Sequence, residues 1–380
     1  MMFLRSLSVA DFRNYRSADL TFCRGLVILC GPNAQGKTNL LEAAFFALRG
    51  RSFRTHDAKS LIRDGTEAAR SQVAAVTHGG IEVTCEAAIG IDGARMHRRN
   101  GVRVRRSRQH ASEAAVVPIC ADDSRIITDE PAVRREFLDS ELSQLDPRYS
   151  LHLAGYKKAL EQKARLLRRG LEGYPVTGGE LSSWNVELST HGAVLVRARR
   201  DLVASLSDAA NDAYRTISAG REELSIRYDS KAGCSGTDGE IGERILEDLA
   251  EIAEAEIASG RCLRGPHRDD ITFLLNGNSA KEYASRGQVR SAVLAARIAL
   301  MSMLQQANDE PPLVLFDDFD NDLDERRRSR VLALLDGAQQ VFLAAHDLRS
   351  CASIDPDRAD VFDVEEGKVN AARTGVCAVS

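Results

Sequence analysis

The chain has 380 residues, 43% of them hydrophobic and 28% charged, with a net charge of −4. That length allows two or more lobes, and the near-neutral charge gives no global nucleic-acid signature. There is no apolar run of about 18 residues, no signal-peptide pattern and no CxxC among the eight cysteines, which points away from a membrane span, export or a zinc site and toward a reducing cytoplasm.

Residues 2–9 alternate as a strand, residues 20–22 form a short one, and residues 26–30 are a continuous apolar run suited to a buried strand. Gly31-Pro32-Asn33-Ala34-Gln35-Gly36-Lys37-Thr38 follows and reads GxxxxGKT, the phosphate-binding loop of nucleoside triphosphatases. Glycines let backbone N–H groups curl around phosphate oxygens. Lys37 supplies a point charge for the β- and γ-phosphates, and the Thr38 hydroxyl is a hard oxygen suited to Mg²⁺. Residues 37–49 are rich in Leu and Ala and read as a helix whose N-terminus faces the phosphates.

Residues 71–119 are strand-rich, which predicts a mixed sheet with an antiparallel part. Within them, residues 95–110 hold seven arginines, two histidines and no acid, with Asn100-Gly101 as a hairpin turn. Arg95, Arg98, Arg99, Arg103, Arg105 and Arg106 are the candidate DNA contacts, expected to project from one face of a ribbon and meet phosphates. The alternative is an edge hairpin charged against strand-to-strand aggregation.

Composition shifts near Pro131. Residues 134–145, 149–169 and 181–217 carry apolar residues at helical spacing, with a break at residues 174–179. They predict a helical insert, residues 131–234, between two halves of a first lobe, residues 1–130 and 235–380. The basic clusters at Lys157, Lys158, Lys163, Arg165, Arg168 and Arg169, and at Arg197, Arg199 and Arg200, fit solvated helix faces as well as DNA contact.

Strand-like runs return at residues 313–316, 340–345 and 359–365. The first is capped by Asp317-Asp318 and the second by His346-Asp347. In phosphate-loop enzymes an acid-capped strand is expected beside the loop strand. Its first acid reaches Mg²⁺ and its neighbour polarises the attacking water. Ser285-Arg286-Gly287-Gln288 opens a helical run one helix and one strand before that pair. Such a turn is either a second anion site or an ordinary capped helix.

This combination resembles the ATP-binding-cassette class of ATPases and, more closely, the RecF family, recombinational-repair ATPases of the SMC-like branch. The resemblance spans essentially the whole chain. It rests on Phe12-Arg13-Asn14-Tyr15, the loop with the start of its helix (GPNAQGKTNLLEA, residues 31–43), Gly50-Arg51-Ser52-Phe53-Arg54-Thr55, Arg134-Arg135-Glu136-Phe137-Leu138-Asp139, Gly265-Pro266-His267-Arg268-Asp269-Asp270, the turn at Ser285, and Asp317-Asp318 with Leu323-Asp324. Two positions depart from the family pattern. Ala121-Asp122-Asp123-Ser124 stands where a Pro-Glu-Asp-Leu turn is usual, and Asn321 where Ser is usual.

The resemblance implies an α/β fold, an ABC-type ATPase head with an inserted, mainly helical second lobe. It implies ATP and Mg²⁺ as cofactors. Arg13, Asn14, Gly31, Pro32, Asn33, Ala34, Gln35, Gly36, Lys37, Thr38 and Asn39 would bind ATP, joined across a homodimer by Ser285, Gly287 and Gln288. Thr38 and Asp317 would hold the metal, with Asp318, Lys37 and His346 catalytic. It further implies slow, DNA-stimulated hydrolysis in the cytoplasm and sequence-independent DNA binding. RecR and RecO would be partners in loading RecA at gaps during repair, recombination, replication restart and the SOS response. The competing readings are an ATPase subunit of another machine, such as a transporter, and a nucleotide-gated scaffold with vestigial hydrolysis.

Overall fold

Strand-period and helix-period patterns fold into two units in the computed structural model, which describes residues 3–55, 57–77, 80–104, 115–231, 233–320, 323–351 and 359–373. The first unit runs to Ser124, takes Thr216–Gly220, and resumes at Arg286; the second holds Arg125–Arg215 and Arg221–Ser285. In chain order the first unit contributes β1 (Phe3–Phe12), β2 (Tyr15–Thr21), β3 (Gly25–Cys30), α1 (Lys37–Arg49), β4 (Ala68–Val76), β5 (Glu82–Gly90), β6 (Arg95–Arg99), β7 (Val102–Arg103) and β8 (Val116–Ile119). The second contributes α2 (Arg125–Thr128), α3 (Pro131–Leu145), α4 (Pro147–Leu171), α5 (Gly178–Ser218, whose last turn returns to the first unit), β9 (Leu224–Asp229), α6 (Asp238–Glu251), α7 (Ala253–Ser259), β10 (Asp270–Leu275), β11 (Asn278–Ser279) and α8 (Ala280–Tyr283). The chain ends with α9 (Arg286–Asn308), β12 (Leu313–Phe316), α10 (Glu325–Leu335), β13 (Gln340–Ala345), β14 (Ala359–Glu365) and β15 (Lys368–Arg373). Among the described residues no helix is long and apolar enough to cross a membrane.

In the first unit the expected antiparallel part is a sheet of its own beside the sheet that carries the phosphate loop. One is antiparallel, in the order β2-β1-β4-β5-β6-β7; the other runs β15-β14-β3-β13-β12-β8 and is parallel except for its β14–β15 hairpin. Connection length explains the split. Strands β4 to β7 follow one another through short turns and pair as hairpins, whereas β3, β12 and β13 are separated by helices, as parallel neighbours require. Helix α1 packs against both sheets. That is why its Leu40, Leu41, Phe45, Phe46 and Leu48 are all buried and its apolar positions run all round it. Gln340, fully buried at the start of β13, accepts from Leu4 N (2.8 Å) and donates to Leu4 O (3.1 Å) and Cys23 O (2.9 Å), so its amide clasps one sheet to the other.

In the second unit the three helices stand where periodicity put them, and α5 runs unbroken for 41 residues. The boundary at 235 does not hold: residues 235–285 belong to this unit. Strand β10 pairs with β9 and packs on α3, and α7 packs on α4. The Gly265–Asp270 motif is a staple here. Arg134 grips Asp270 bidentately (2.6 and 2.9 Å). Arg199 reaches Asp139 and Pro266 O, both at 2.7 Å. Tyr156 Oη lies 2.7 Å from His267 Nδ1, and burial pushes the His267 imidazole down to about 4, so it accepts as a neutral ring.

Lys163 and Glu256 form a fully buried pair, 2.5 Å apart, between α4 and α7. Removing one partner strands the other charge. Lys163→Met should therefore cost about 3–5 kcal/mol in a urea unfolding titration. Adding Glu256→Gln, which still accepts from Leu263 N, should recover most of it. A single variant as stable as the parent would contradict the pairing.

Candidate functional site

The parallel sheet places the loop and the acids at one edge. Residues 31–36 leave the C-terminal end of β3, and Lys37 and Thr38 open α1. Asp317 and Asp318 leave the C-terminal end of β12. These strands are not neighbours, contrary to expectation: β13 lies between them. With strands about 4.8 Å apart, β12 is then about 10 Å from β3. Thr38 closes the gap. Its hydroxyl donates to the Asp317 carboxylate, with both oxygens 2.8 Å away. Strand order thus differs from expectation while the juxtaposition of loop and acid is kept.

Charge is concentrated here with little water. Asp317 is 5% exposed; burial first, and then the Asp318 charge, push its carboxyl up to about 6, against the pull of the Thr38 hydrogen bond and Arg54. Asp318 sits at φ +49°, in the left-handed region that Asp and Asn tolerate best among non-glycine residues. Burial pushes the Lys37 ammonium down, opposed by Asp318, Asp317 and Asp320. Lys37 Nζ donates to Gly31 O (2.7 Å) and Pro32 O (2.8 Å), so the loop folds around its own lysine. Gly31 itself must be glycine: a Cβ there would lie 2.2 Å from Val364 O of β14. A buried carboxylate raised by a like charge, beside a hydroxyl, is a donor set that fits a hard divalent cation.

The other candidate residues divide. Arg13, at φ +53° in the β1–β2 turn, forks onto the fully buried Glu42 (2.8 and 2.9 Å). Asn14 donates to Gln35 O (3.0 Å) and accepts from Asn39 (2.8 Å), so both ends of its amide are engaged beside the loop. His346 follows β13 with an exposed side chain; its backbone N–H donates to Asp320 (2.8 Å). Ser285, Gly287 and Gln288 surround the start of α9. A Cβ on Gly287 would meet Arg327 at 3.3 Å, so this turn lies against α10.

Sequence reasoning left Arg54 and Glu42 out of the site. Arg54 donates to Asn39 (3.2 Å), stands 3.6 Å from Glu42, and its charge is felt at Asp317. Both lay within runs that carry the family resemblance, residues 50–55 and 31–43, but an acid in a Leu- and Ala-rich helix reads as a solvated position and shows no partner. Asp123, in the segment where proline is missing, is buried and paired with Arg297 (2.8 Å), and it caps Cys120 N (3.0 Å). Asn321 lies outside the described residues.

The hairpin of arginines forms as expected through Asn100 and Gly101, at φ +48° and +76°, and β7 is the sheet edge. Its side chains do not share one face. Arg95 and Arg99 fall on the side of His97, which is buried with Nε2 3.0 Å from Ala47 O. Arg98 and Arg103 are exposed cross-strand partners on the other. Period-2 alternation requires this split. Arg105 and Arg106 lie outside the described residues. Among the helical clusters, Lys163 is buried against Glu256, Arg197 pairs with Asp238 and Arg199 with Asp139, so these three join elements of the second unit, whereas Arg165 pairs with Glu161 within its own helix.

The family described as RecF/RecN/SMC N terminal domain matches residues 3–368. The DNA replication and repair protein RecF of Thermosynechococcus vestitus is 34% identical over 370 residues, 97% of each chain. Its namesake from Symbiobacterium thermophilum is 35% identical over 352 residues, 91% of this chain and 92% of that one. A solved structure of the recombination mediator protein RecF with ATP, of the RecFOR pathway, superposes with a TM-score of 0.88 at 26% identity, covering 98% of both chains. An Smc head domain from Pyrococcus furiosus shares the fold at 16% identity and a TM-score of 0.55, covering 98% of this chain and 96% of that one. The chain belongs to the RecF family.

Proposed function

We propose that this protein is a DNA replication and repair ATPase that closes on DNA as an ATP-bound homodimer. The observation that carries the reading is the meeting of Thr38 with Asp317, which joins a phosphate loop to a buried acid. Thr38 and Asp317 would hold Mg²⁺, which when bound supplies charge neutralisation between the phosphates. Lys37 and the backbone N–H groups of residues 33–38 bind the phosphates, and Arg54 adds a second cation nearby. Asp318 orients and deprotonates the attacking water, and His346 borders the same strand ends. Similarity to an ATP-bound recombination mediator RecF of the RecFOR pathway supports ATP as the nucleotide and RecR and RecO as partners; loading of RecA at gaps rests on the family resemblance alone. The vestigial-scaffold reading is disfavoured by both acids being present, and the transporter reading by the arginine hairpin.

Dimerisation follows from chemistry. The start of α9 offers a hydroxyl, a glycine backbone and a helix dipole to an anion. A γ-phosphate bridged to that turn of a partner adds contacts that ADP lacks, which is what shifts an association equilibrium. Ser285→Arg should leave ATP affinity of the single chain intact and abolish ATP-dependent dimerisation in sedimentation velocity. A parental dimer from this variant would remove the basis for closure.

DNA contact is assigned to Arg98 and Arg103, the exposed pair of the hairpin. Replacing both with Ala should weaken binding equally across sequences. The plot of log affinity against log salt should become shallower by about 0.9 per lost contact on duplex DNA. An unchanged slope would return the hairpin to edge protection.

A further inference from the structure

The nucleotide loop is clamped from behind by both ends of the chain at a single residue, Gln35. Its backbone oxygen accepts from Asn14 Nδ2 (3.0 Å), in the β1–β2 turn, and from Gly367 N (3.2 Å), in the β14–β15 turn. Its side-chain Oε1 accepts from Glu366 N (2.7 Å) in that same second turn. Asn14 is itself fixed by Asn39, and Asn39 by Arg54. The second turn has no slack. Gly367 is at φ +72°, and a Cβ on it would lie 2.8 Å from Asn14 O.

The peptide group explains what this does. In a planar trans peptide the C=O and the following N–H point in opposite directions. Two donors that hold the Gln35 carbonyl outward therefore aim the Gly36 N–H inward, where a phosphate-binding loop needs its donors. Orientation then comes from bonds within the chain rather than from the phosphates, so less ordering is lost on binding. From this we infer that Asn14, Gln35 and the Glu366–Gly367 turn form a positioning clasp for the phosphate loop. On this reading Asn14 and the Gln35 side chain act through the loop backbone, without touching ATP. The inference rests on residues 31–38 being the nucleotide site.

The test uses the full chain and ATP, with calorimetry and hydrogen exchange as readouts. Asn14→Asp keeps the acceptor for Asn39 but sets an oxygen against Gln35 O. Gln35→Met keeps length but removes the acceptor for Glu366 N. Each should weaken ATP binding about tenfold, as loss of one well-placed hydrogen bond does, while the melting temperature without nucleotide stays near the parental one. In the parent without nucleotide, the amides of Glu366 and Gly367 should already exchange slowly, and Gln35→Met should lose the protection at Glu366. Parental ATP affinity in both variants, or fast exchange of that turn in the parent, overturns the clasp. A parental chain that binds no ATP overturns the nucleotide reading itself.

Discussion

Lys37→Met is expected to lose ATP binding, with affinity falling by a factor of about 10²–10³. On the proposed reading the lysine would make charge-assisted contacts to two phosphates, each worth about 1.5–3 kcal/mol. Its loss also changes the field. Lys37 is the cation that Asp317, Asp318 and Asp320 all act upon, and without it those carboxylates face a triphosphate with less to offset them. Arg54 remains, but it is already engaged with Asn39 and lies near Glu42. Methionine keeps most of the side-chain volume in a buried position, so the variant should fold normally. Unchanged affinity by calorimetry would remove residues 31–38 from the site.

The two acids should separate cleanly. Asp318→Asn is expected to bind ATP with parental affinity and to lower turnover by about 10²–10³, the range of a lost general base. Asn occupies the left-handed region as readily as Asp, so the backbone at φ +49° is preserved and the loss is chemical. ATP-bound dimers should accumulate because the step that opens them is slowed. Asp317→Asn should act earlier, raising the Mg²⁺ concentration needed for ATP binding, since Thr38 would keep only an uncharged amide as neighbour. Phosphate release and Mg²⁺ titration distinguish the two. Parental turnover in both variants would place the catalytic acid elsewhere.

What could be read from the sequence was whatever is encoded locally. The loop glycines, the acid-capped strand and the long helices declare themselves because each obeys a backbone rule within a few residues. Order across a sheet is not local. Nothing in residues 313–318 reports that β13 inserts between β12 and β3, and nothing in residues 71–119 reports that β8 leaves the antiparallel sheet for the parallel one. The three-stranded sheet β11-β10-β9 escaped notice because β9 and β10 are 6 residues each and stand far apart in the chain. The faces of the arginine hairpin were legible, since positions 95, 97 and 99 share a parity, but only burial of His97 shows which face is covered. Glu42, Arg13 and Arg54 each stood in a run that carries the resemblance, but their pairing was out of reach, because the two arginines come from separate parts of the chain.

ATP turnover at the phosphate loop is proposed to respond to DNA held at the arginine hairpin. Steady-state ATP hydrolysis, measured on the parental chain with and without duplex DNA, tests it most directly. The account predicts slow turnover that DNA raises, with the increase lost in the Arg98→Ala and Arg103→Ala double variant. Turnover that is the same with and without DNA would contradict it.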